Sequence, residues 1–266
     1  MGDSRQPGPE ELAEAARSLL DAHHRDAPLL LANVWDATSA RIVEAAGFHF
    51  AATSSHAIAD VLGEDDADCS DPDLIFDWIG RMARAVSCPV TADLEAGYGL
   101  APTELVRRML AAGVVGCNLE DTDHHGDDAL VNADRQASYL GAVRAAADAT
   151  GVHIVINARV DSFIRRVGDE DQQMADAIRR ADLYLEAGVD CIYPFGVSDP
   201  VKIADLVGTT SGPLNIFARR GGPEVEELTA LGVHRISLAS GLHRLTTERL
   251  REAATRLMAG HRLDEL

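Results

Sequence analysis

The sequence predicts a (β/α)8 barrel, the TIM barrel fold class, and two repeating features predict it. Eight short runs rich in apolar and β-branched residues recur along the chain, each followed by an amphipathic segment. Small or apolar residues followed by glycine, a pattern typical of helix ends, precede several of these runs. Near-continuous apolar runs are typical of parallel strands covered on both faces. Eight evenly spaced units favour a closed barrel over an open doubly wound sheet.

The strands and helices alternate in order along the chain. The predicted strands are Leu29–Val34, Phe48–Ser54, Pro89–Leu94, Val114–Glu120, His153–Arg159, Asp190–Phe195, Leu214–Ala218 and Arg235–Ala239. The segments between them have apolar residues at helical spacing, as in Leu105, Met109 and Leu110. Glycine is expected to end four helices because it adopts the left-handed C-cap conformation easily. The four pairs are Ala46-Gly47, Ala112-Gly113, Ala187-Gly188 and Leu231-Gly232.

Both ends of the chain add a helix to the predicted barrel. An amphipathic segment, Glu10 to Ala22 within residues 1–25, is expected to cap the barrel bottom. The final helix, within residues 242–266, carries Leu250, Ala254 and Leu257 on one stripe. That stripe packs either on the barrel or on another subunit. Because no linker or low-complexity stretch divides the chain, residues 1–266 are expected to form one domain.

The composition limits the classes of partner. The formal net charge of −19 repels nucleic acid and anionic membranes. No stretch approaches the roughly 20 apolar residues of a membrane span, and the polar start lacks a secretory pattern, so a cytoplasmic location is expected. Small molecules are the expected partners. An anionic substrate would need a cation or local arginines to reverse the charge at the site, which suggests a metal.

Acidic side chains gather at the predicted carboxyl ends of strands three and four, where barrel enzymes place their active sites. Asp93 and Glu95 end strand three, and Glu120 ends strand four. Such carboxylates repel one another unless they are protonated or bridged by a cation, and Mg²⁺ prefers oxygen ligands. The sequence therefore predicts that these three residues hold a divalent metal. The alternative is that they are solvated loop acids.

Arg159 is the cation among these strand ends and suits a carboxylate or phosphonate clamp. The alternative is a structural partner for Glu120 or Asp161. Strand seven offers Asn215 as a candidate substrate contact.

Two further groups lie in loops near the predicted site. His124 and His125 follow strand four and could act as a base or a metal pair, or could simply be solvated. Tyr98 lies between Gly97 and Gly99, where the backbone could approach a ligand closely or merely turn.

Three motifs, in this order and spacing, resemble those of the isocitrate lyase/phosphoenolpyruvate mutase superfamily. They are DLEAGYG at residues 93–99, NLED at 118–121 and ARVDSF at 158–163. The superfamily pattern reads D-x-D/E-x-G-Y/F-G, then x-x-E-D, then x-A-R-x-D/E-x-F. The resemblance covers nearly the whole chain, from Ala32 to the terminal helix, and three ordered motifs make it specific.

The resemblance implies a (β/α)8 barrel, usually a tetramer in which neighbouring subunits exchange their last helices. It implies Mg²⁺, with Mn²⁺ as a possible substitute, and chemistry through a metal-stabilised enolate of a 2-oxo acid. The residues implied as metal ligands are Asp93, Glu95 and Glu120. An acid after strand two is also implied near the metal waters or the substrate, with Asp66 favoured over Asp65 by the Leu62-Gly63 register.

The resemblance also implies a substrate site. Arg159 matches the arginine that binds the substrate carboxylate. Thr53, Ser54 and Ser55 match a segment that supplies backbone or hydroxyl contacts.

The sequence departs from the superfamily at the lid. The lyases carry K-[KR]-C-G-H after the strand-four Glu-Asp, whereas residues 121–126 here read DTDHHG. No cysteine is available there, so cleavage of isocitrate or 2-methylisocitrate by the usual mechanism is not expected. The lysine and asparagine of a mutase are not evident, and Thr122 is the match for the threonine of the hydrolase variant.

The sequence therefore favours a Mg²⁺-dependent carbon–carbon lyase or decarboxylase acting on a small 2-oxo or 2-hydroxy di- or tricarboxylic acid. The candidate catalytic residues are Arg159, Glu120, Tyr98 and His124. One alternative is phosphonate chemistry, by a phosphonopyruvate hydrolase or a phosphoenolpyruvate mutase. The other is a non-catalytic barrel that binds a 2-oxo acid.

Overall fold

Eight parallel strands alternate with helices in the computed structural model, which describes residues 7–66, 70–126 and 129–265. The strands are β1 Leu29–Val34, β2 Ala51–Thr53, β3 Val90–Asp93, β4 Val114–Glu120, β5 Val155–Val160, β6 Cys191–Pro194, β7 Asn215–Phe217 and β8 Arg235–Ser237. Their order in the sheet is β6-β5-β4-β3-β2-β1-β8-β7. A parallel bridge between Ile192 and Leu214 brings the two edge strands together. The predicted (β/α)8 barrel is confirmed.

The helices lie between the strands. They are α1 Pro9–Ala22, α2 Ala37–Ala45, α3 Ser55–Leu62, α4 Pro72–Ala83, α5 Pro102–Ala112, α6 Ala133–Asp148, α7 Glu170–Glu186, α8 Pro200–Thr209, α9 Val225–Ala230 and α10 Gly241–Met258. Short polar side chains begin several of them; Asp36 and Asp169, for example, accept a hydrogen bond from the third helical N–H. The predicted glycine stops are confirmed, because residues 47, 113, 188 and 232 all have positive φ.

Strand two differs most from its prediction. The apolar run predicts Phe48–Ser54, but the strand covers Ala51–Thr53. Its carboxyl end is shorter because Ser54 is the N-cap of α3, where its hydroxyl accepts from the N–H of Ala57. The predicted site segment Thr53 to Ser55 therefore spans a strand end and a helix start.

The amino end of the barrel is covered by α1. This helix packs against β4 and β5 and buries Leu12, Ala16, Leu19 and Ala22. Leu19 reaches the barrel interior, since a Cβ added to Gly116 of β4 would lie 2.7 Å from its Cδ2 atom. Glycine at position 116 therefore makes room for a side chain from α1.

The terminal helix α10 packs against β1 and leaves an apolar stripe exposed. His243 is buried near its start, in an edge contact with the ring of Trp35. Leu250 and Leu257 are 69% and 45% exposed. The barrel of this chain does not cover them. Neither α10 nor any other helix within the described ranges is long and apolar enough to cross a membrane.

Candidate active site

A cavity of about 190 Å³ opens at the carboxyl end of the barrel. Five of the predicted site residues line it together, and they come from the ends of β3 and β5 and from the segment that follows β2. They are Ser54, Ser55, Asp66, Asp93 and Arg159. The cavity therefore brings two of the four predicted metal residues, Asp66 and Asp93, to the predicted carboxylate clamp, whereas Glu95 and Glu120 are not among the residues that line it.

Asp93 ends β3 and is held by donors on both carboxylate oxygens. Its Oδ2 atom accepts from the N–H of Ser55 at 3.2 Å and from the Ser55 hydroxyl at 2.9 Å. Its Oδ1 atom accepts from the side-chain amide of Asn118 at 3.4 Å. Burial raises the pKa of Asp93, although nearby Arg159 opposes the shift.

Thr53 supports this carboxylate from the backbone side. Its hydroxyl accepts from the Asp93 N–H at 2.9 Å, and its side chain is fully buried. Thr53 is not among the residues that line the cavity. The structure therefore places Thr53 against Asp93 and leaves Ser54 and Ser55 at the cavity wall.

Arg159 lies between two carboxylates. It forms an ion pair with Glu120, and its Nε and Nη2 atoms donate to Asp161 at 2.7 and 3.0 Å. Its guanidinium carbon stacks 4.1 Å from the centre of the Phe195 ring. Burial lowers the pKa of Arg159, but Glu120 and Asp161 raise it more, so the net pKa is above its usual value. The guanidinium is a permanent cation in the cavity wall.

A buried network fixes Asp161 from behind. The Thr122 hydroxyl donates to Oδ2 of Asp161 at 2.6 Å, and the N–H of Asp161 donates to Oδ1 of Asp121 at 2.9 Å. Asp121 in turn accepts from Arg180 at 3.0 Å and from the Tyr184 hydroxyl at 2.7 Å. Thr122, the match for the hydrolase threonine, is thus engaged in supporting Asp161. Arg180 and Tyr184 lie outside the three sequence motifs, so the sequence did not predict this network.

The two adjacent histidines occupy different environments. His124 has a side chain only 7% exposed and contacts Glu120 through Nε2. The hydrogen bond with Glu120 raises the pKa of His124, and burial opposes that shift. His125 is exposed, and both histidines line a second cavity of about 270 Å³ beside Glu120. The predicted pair is therefore split between a buried His124 side chain that contacts Glu120 and an exposed His125.

Glu95 and Tyr98 have strained backbones in the loop after β3. Their φ angles are +50° and +54°, values that residues other than glycine rarely adopt. Both side chains are buried, and Tyr98 packs within the hydrophobic core. The Glu95 carbonyl accepts from the Glu120 N–H at 2.9 Å, so the loop is tied to the end of β4.

Asp66 and Asn215 lie in different parts of the barrel. Asp66 lines the cavity and contacts His56 Nδ1 at 3.2 Å, whereas Asp65 is exposed and is not in the cavity wall. Asn215 is the first residue of β7, is fully buried and lies in register with Arg235. It lies at the amino end of its strand and is not among the residues that line the cavity.

The donor set suits a hard cation, although its side chains are partly engaged with one another. Within the described ranges, no three histidine, cysteine, aspartate or glutamate side chains converge on one point as ligands would. Glu120 is turned to Arg159 and His124 instead. Burial raises the pKa of both Asp93 and Glu120, so a divalent cation would supply the charge that keeps them ionised.

Sequence reasoning assigned no site role to several polar residues of the cavity wall, one of which, Asn118, belongs to the second motif. Asn33, His56, Asn118, Tyr193, Ser237 and Arg244 are among the residues that line it. Strand alternation could have found Asn118, because it precedes Glu120 by two positions and so faces the same side. His56 and Arg244 lie on helices after β2 and β8, where no motif marked them.

Comparison with known proteins identifies the family. The family model described as phosphoenolpyruvate phosphomutase matches residues 19–258. An oxaloacetate decarboxylase of Rhodopseudomonas palustris (strain ATCC BAA-98 / CGA009) is 30% identical over 217 residues, which cover 78% of this chain and 72% of the relative.

Solved structures agree with that assignment. A candidate phosphonomutase from Burkholderia cenocepacia J2315 superposes with a TM-score of 0.85 at 33% identity, covering 91% of this chain and 99% of the other. A phosphonopyruvate hydrolase solved with oxalate and Mg²⁺ shares the fold at 24% identity and a TM-score of 0.81, covering 92% of this chain and 87% of the other. The chain belongs to the phosphoenolpyruvate phosphomutase family, within the isocitrate lyase/phosphoenolpyruvate mutase superfamily.

Proposed function

We propose that this protein is a Mg²⁺-dependent lyase that decarboxylates or cleaves a small 2-oxo dicarboxylate of the oxaloacetate type. The observation that carries the proposal is the cavity that contains both the Asp93 carboxylate and the permanent cation Arg159. An acid for a metal and a cation for a carboxylate are the two groups that such a substrate requires.

The size and charge of the cavity support a dicarboxylate. A volume of about 190 Å³ is small for a ligand site, which favours a four-carbon acid over a larger tricarboxylate. Arg244, on the first turns of α10, lines the same cavity as Arg159. Two arginines can balance the two carboxylates of the substrate. The decarboxylases of Rhodopseudomonas palustris, which resemble this chain, are named for oxaloacetate.

Arg159 is proposed to bind the carboxylate next to the 2-oxo group. Asp161 holds the guanidinium through two hydrogen bonds, and the ring of Phe195 covers one of its faces. These contacts fix its plane before the substrate arrives, so little of the binding energy is lost to ordering.

The proposed metal ligands are Asp93, Glu95 and Glu120, with Asp66 close to the ion or to its waters. When bound there, Mg²⁺, or Mn²⁺ in its place, supplies Lewis-acid stabilisation of the negative charge that develops on the 2-oxo group. Ser55 and Asn118 orient the Asp93 carboxylate. Glu120 would have to share its carboxylate between the ion and the cations that it contacts in this structure.

A proton is needed after the carbon–carbon bond breaks. In decarboxylation, the electron pair of that bond forms an enolate as CO₂ leaves, and protonation of carbon 3 then gives the 2-oxo monocarboxylate. His124 is the proposed proton donor, because it contacts the proposed metal ligand Glu120, which raises its pKa, although it lines the second cavity rather than the cavity of Asp93. Tyr98, the other candidate, packs in the core and lines neither cavity.

The proposal is tested by turnover of a substrate panel followed by NMR. The panel holds oxaloacetate, 2-methylisocitrate, dimethylmalate, 4-hydroxy-2-oxo acids and phosphonopyruvate, each with Mg²⁺ and with a chelator. The proteins are the wild type, Asp93→Ala and Asp26→Ala, a control at an exposed acid beyond α1. Mg²⁺-dependent loss of oxaloacetate that only Asp93→Ala abolishes is the expected result.

Two other outcomes would replace the proposal. Phosphate release from phosphonopyruvate would indicate the hydrolase or mutase class. Thr122 matches the threonine of the hydrolase, but its hydroxyl donates to Asp161 in this structure. Binding of a 2-oxo acid without turnover of any panel member would indicate a non-catalytic barrel.

The terminal helix supports an oligomer, for which a tetramer is the proposed form. The exposed stripe of Leu250 and Leu257 is apolar surface that a second copy of the chain would bury. Sedimentation velocity of the wild type and of Leu250→Glu tests this, with a smaller assembly expected for the variant.

A further inference from the structure

The interior of the barrel just below the cavity is unusually polar. Barrel interiors are normally filled with layers of branched apolar side chains. Here Thr91, Asn118, Asn157, Asn215 and Arg235 lie on the inward face, on strands from β3 round to β8. All five are buried. Burying polar side chains costs free energy unless they form hydrogen bonds, so the contacts within this layer show how it is stabilised.

Arg235 is the least expected member of this layer. It is 1% exposed, yet it forms no ion pair with a carboxylate in the described part of the chain. Its Nη2 atom donates to Oδ1 of Asn118 at 3.1 Å, across the barrel from β8 to β4. Its Nε and Nη1 atoms have no protein hydrogen-bond partner among the described residues. Asn118 is therefore the side chain to which this guanidinium is anchored.

Asn118 is oriented by two donors at once. Its Oδ1 atom accepts from Arg235 and also from the side-chain amide of Asn157 at 2.7 Å. A flipped amide would turn its NH₂ group toward these two donors, which is unfavourable. The NH₂ group must therefore face the other way, toward the Oδ1 atom of Asp93 at 3.4 Å.

We propose that Arg235 is a positioning residue that acts through Asn118 to hold the Asp93 carboxylate in its working orientation. The chain of contacts runs from β8 through β4 to β3, from the bottom of the barrel to the cavity wall. Its role in turnover rests on the proposed function, since Asp93 is there a metal ligand. The orientation of Asn118 itself does not depend on that function.

A double-mutant cycle separates this route from general effects on stability or charge. The proteins are the wild type, Arg235→Met, Asn118→Leu and the double variant, assayed for kcat and for the KM of Mg²⁺ with oxaloacetate. We expect Arg235→Met to lower kcat/KM about tenfold in the wild-type background. In the Asn118→Leu background the same change should alter it less than twofold. An equal fall in both backgrounds would overturn the proposal.

Thr91→Val is the matched control, because it removes a polar group of the same layer that has no hydrogen-bond partner among the described residues. It should leave kcat and the KM of Mg²⁺ unchanged. If Arg235→Met fails to fold, Arg235→Gln replaces it in the cycle.

A crystal structure of the Arg235 variant provides a readout that does not depend on turnover. Loss of the contact between the Asn118 amide and Asp93, with the backbone of β3 and β4 unmoved, would support the positioning role even if no panel substrate reacts. A contact retained as in the wild type would overturn that role whatever the kinetics show.

Discussion

The two ends of the barrel are built from the same strands but treat charge in opposite ways. At the carboxyl end, the ionisable groups Asp93, Glu120 and Arg159 are buried close together, and Asp93 and Arg159 line the cavity. At the amino end, α1 fills the opening with Leu19, and the buried His23 is held neutral. Barrel enzymes use the first end for chemistry and the second for stability. Apart from Arg235, which reaches the cavity wall through Asn118, substitutions at the two ends should therefore affect different measurements.

The largest effect is expected at the carboxyl end, from Arg159→Met. Loss of the clamp, and of the cation between Glu120 and Asp161, should lower kcat/KM for oxaloacetate roughly a thousandfold. Steady-state kinetics measures it, with circular dichroism to show that the barrel is intact. Arg81→Met, which breaks an exposed ion pair on α4, is the control and should change nothing. Full activity of Arg159→Met would contradict the assignment of the clamp.

The next effect tests the amino end through pH. Burial lowers the pKa of His23 from 6.5 to about 3, and the charge of Arg235 contributes to this shift. Between these two pH values the unfolded chain binds a proton at His23 that the folded chain does not bind. This histidine should therefore cost the fold stability as the pH falls from 6.5 toward 3. Between pH 7 and pH 4 the loss is roughly 3 kcal/mol.

Urea unfolding at several pH values measures that contribution. The acid slope should flatten in His23→Leu but persist in His49→Leu, where the replaced histidine is exposed. Equal slopes in the two variants would show that His23 titrates normally in the fold. Turnover of the folded protein at pH 7 should be the same in both, since neither residue lies near the cavity.

A smaller effect is expected from Gly116→Ala. The added Cβ would meet Leu19 Cδ2 at 2.7 Å and Thr91 Oγ1 at 2.9 Å, so α1 or β3 must shift. We expect a loss of about 2 kcal/mol in the free energy of unfolding, as for other overpacked sites. Thermal unfolding checks this, with Gly208→Ala as the control because nothing lies within 4 Å of its Cβ position. In a Leu19→Ala background the same Gly116→Ala change should cost less, and an undiminished cost would argue against this contact.

The smallest effect returns to the carboxyl end, at Thr122→Val. Its hydroxyl supports Asp161, which in turn orients Arg159. The variant loses the hydrogen bond to Asp161 and the one that the hydroxyl accepts from Arg165. Loss of the support for Asp161 should lower kcat/KM about fivefold, corresponding to about 1 kcal/mol. The fall should appear mainly in the KM of the substrate carboxylate. A loss as large as that of Arg159→Met would instead mark Thr122 as a residue that contacts the substrate.

Local patterns predicted the barrel because each strand and each helix stop is a short-range property. The runs of β-branched residues and the glycine stops lie where the sequence places them, within three residues at every strand boundary. The grouping of Asp93 with Arg159 was also predictable, because parallel strands end on one side of a barrel.

Pairings between distant side chains were only partly predictable in this way. The alternative that Arg159 is a structural partner for Glu120 or Asp161 is confirmed for both carboxylates. The contact of Glu120 with His124 was not predicted, because the path of the loop after β4 decides it. Asn215 shows the same limit. The run that contains it predicts a strand, but only the register with Arg235 shows that it begins the strand, well away from the cavity.

The helix α1, which fills the amino end of the barrel, also limits the routes by which a small molecule can reach the cavity. With Leu19 inserted below, a molecule bound in the cavity would enter and leave at the opposite, carboxyl end. Under the proposed function, a 2-oxo monocarboxylate product that is slow to leave would therefore compete with the next substrate for the same cavity.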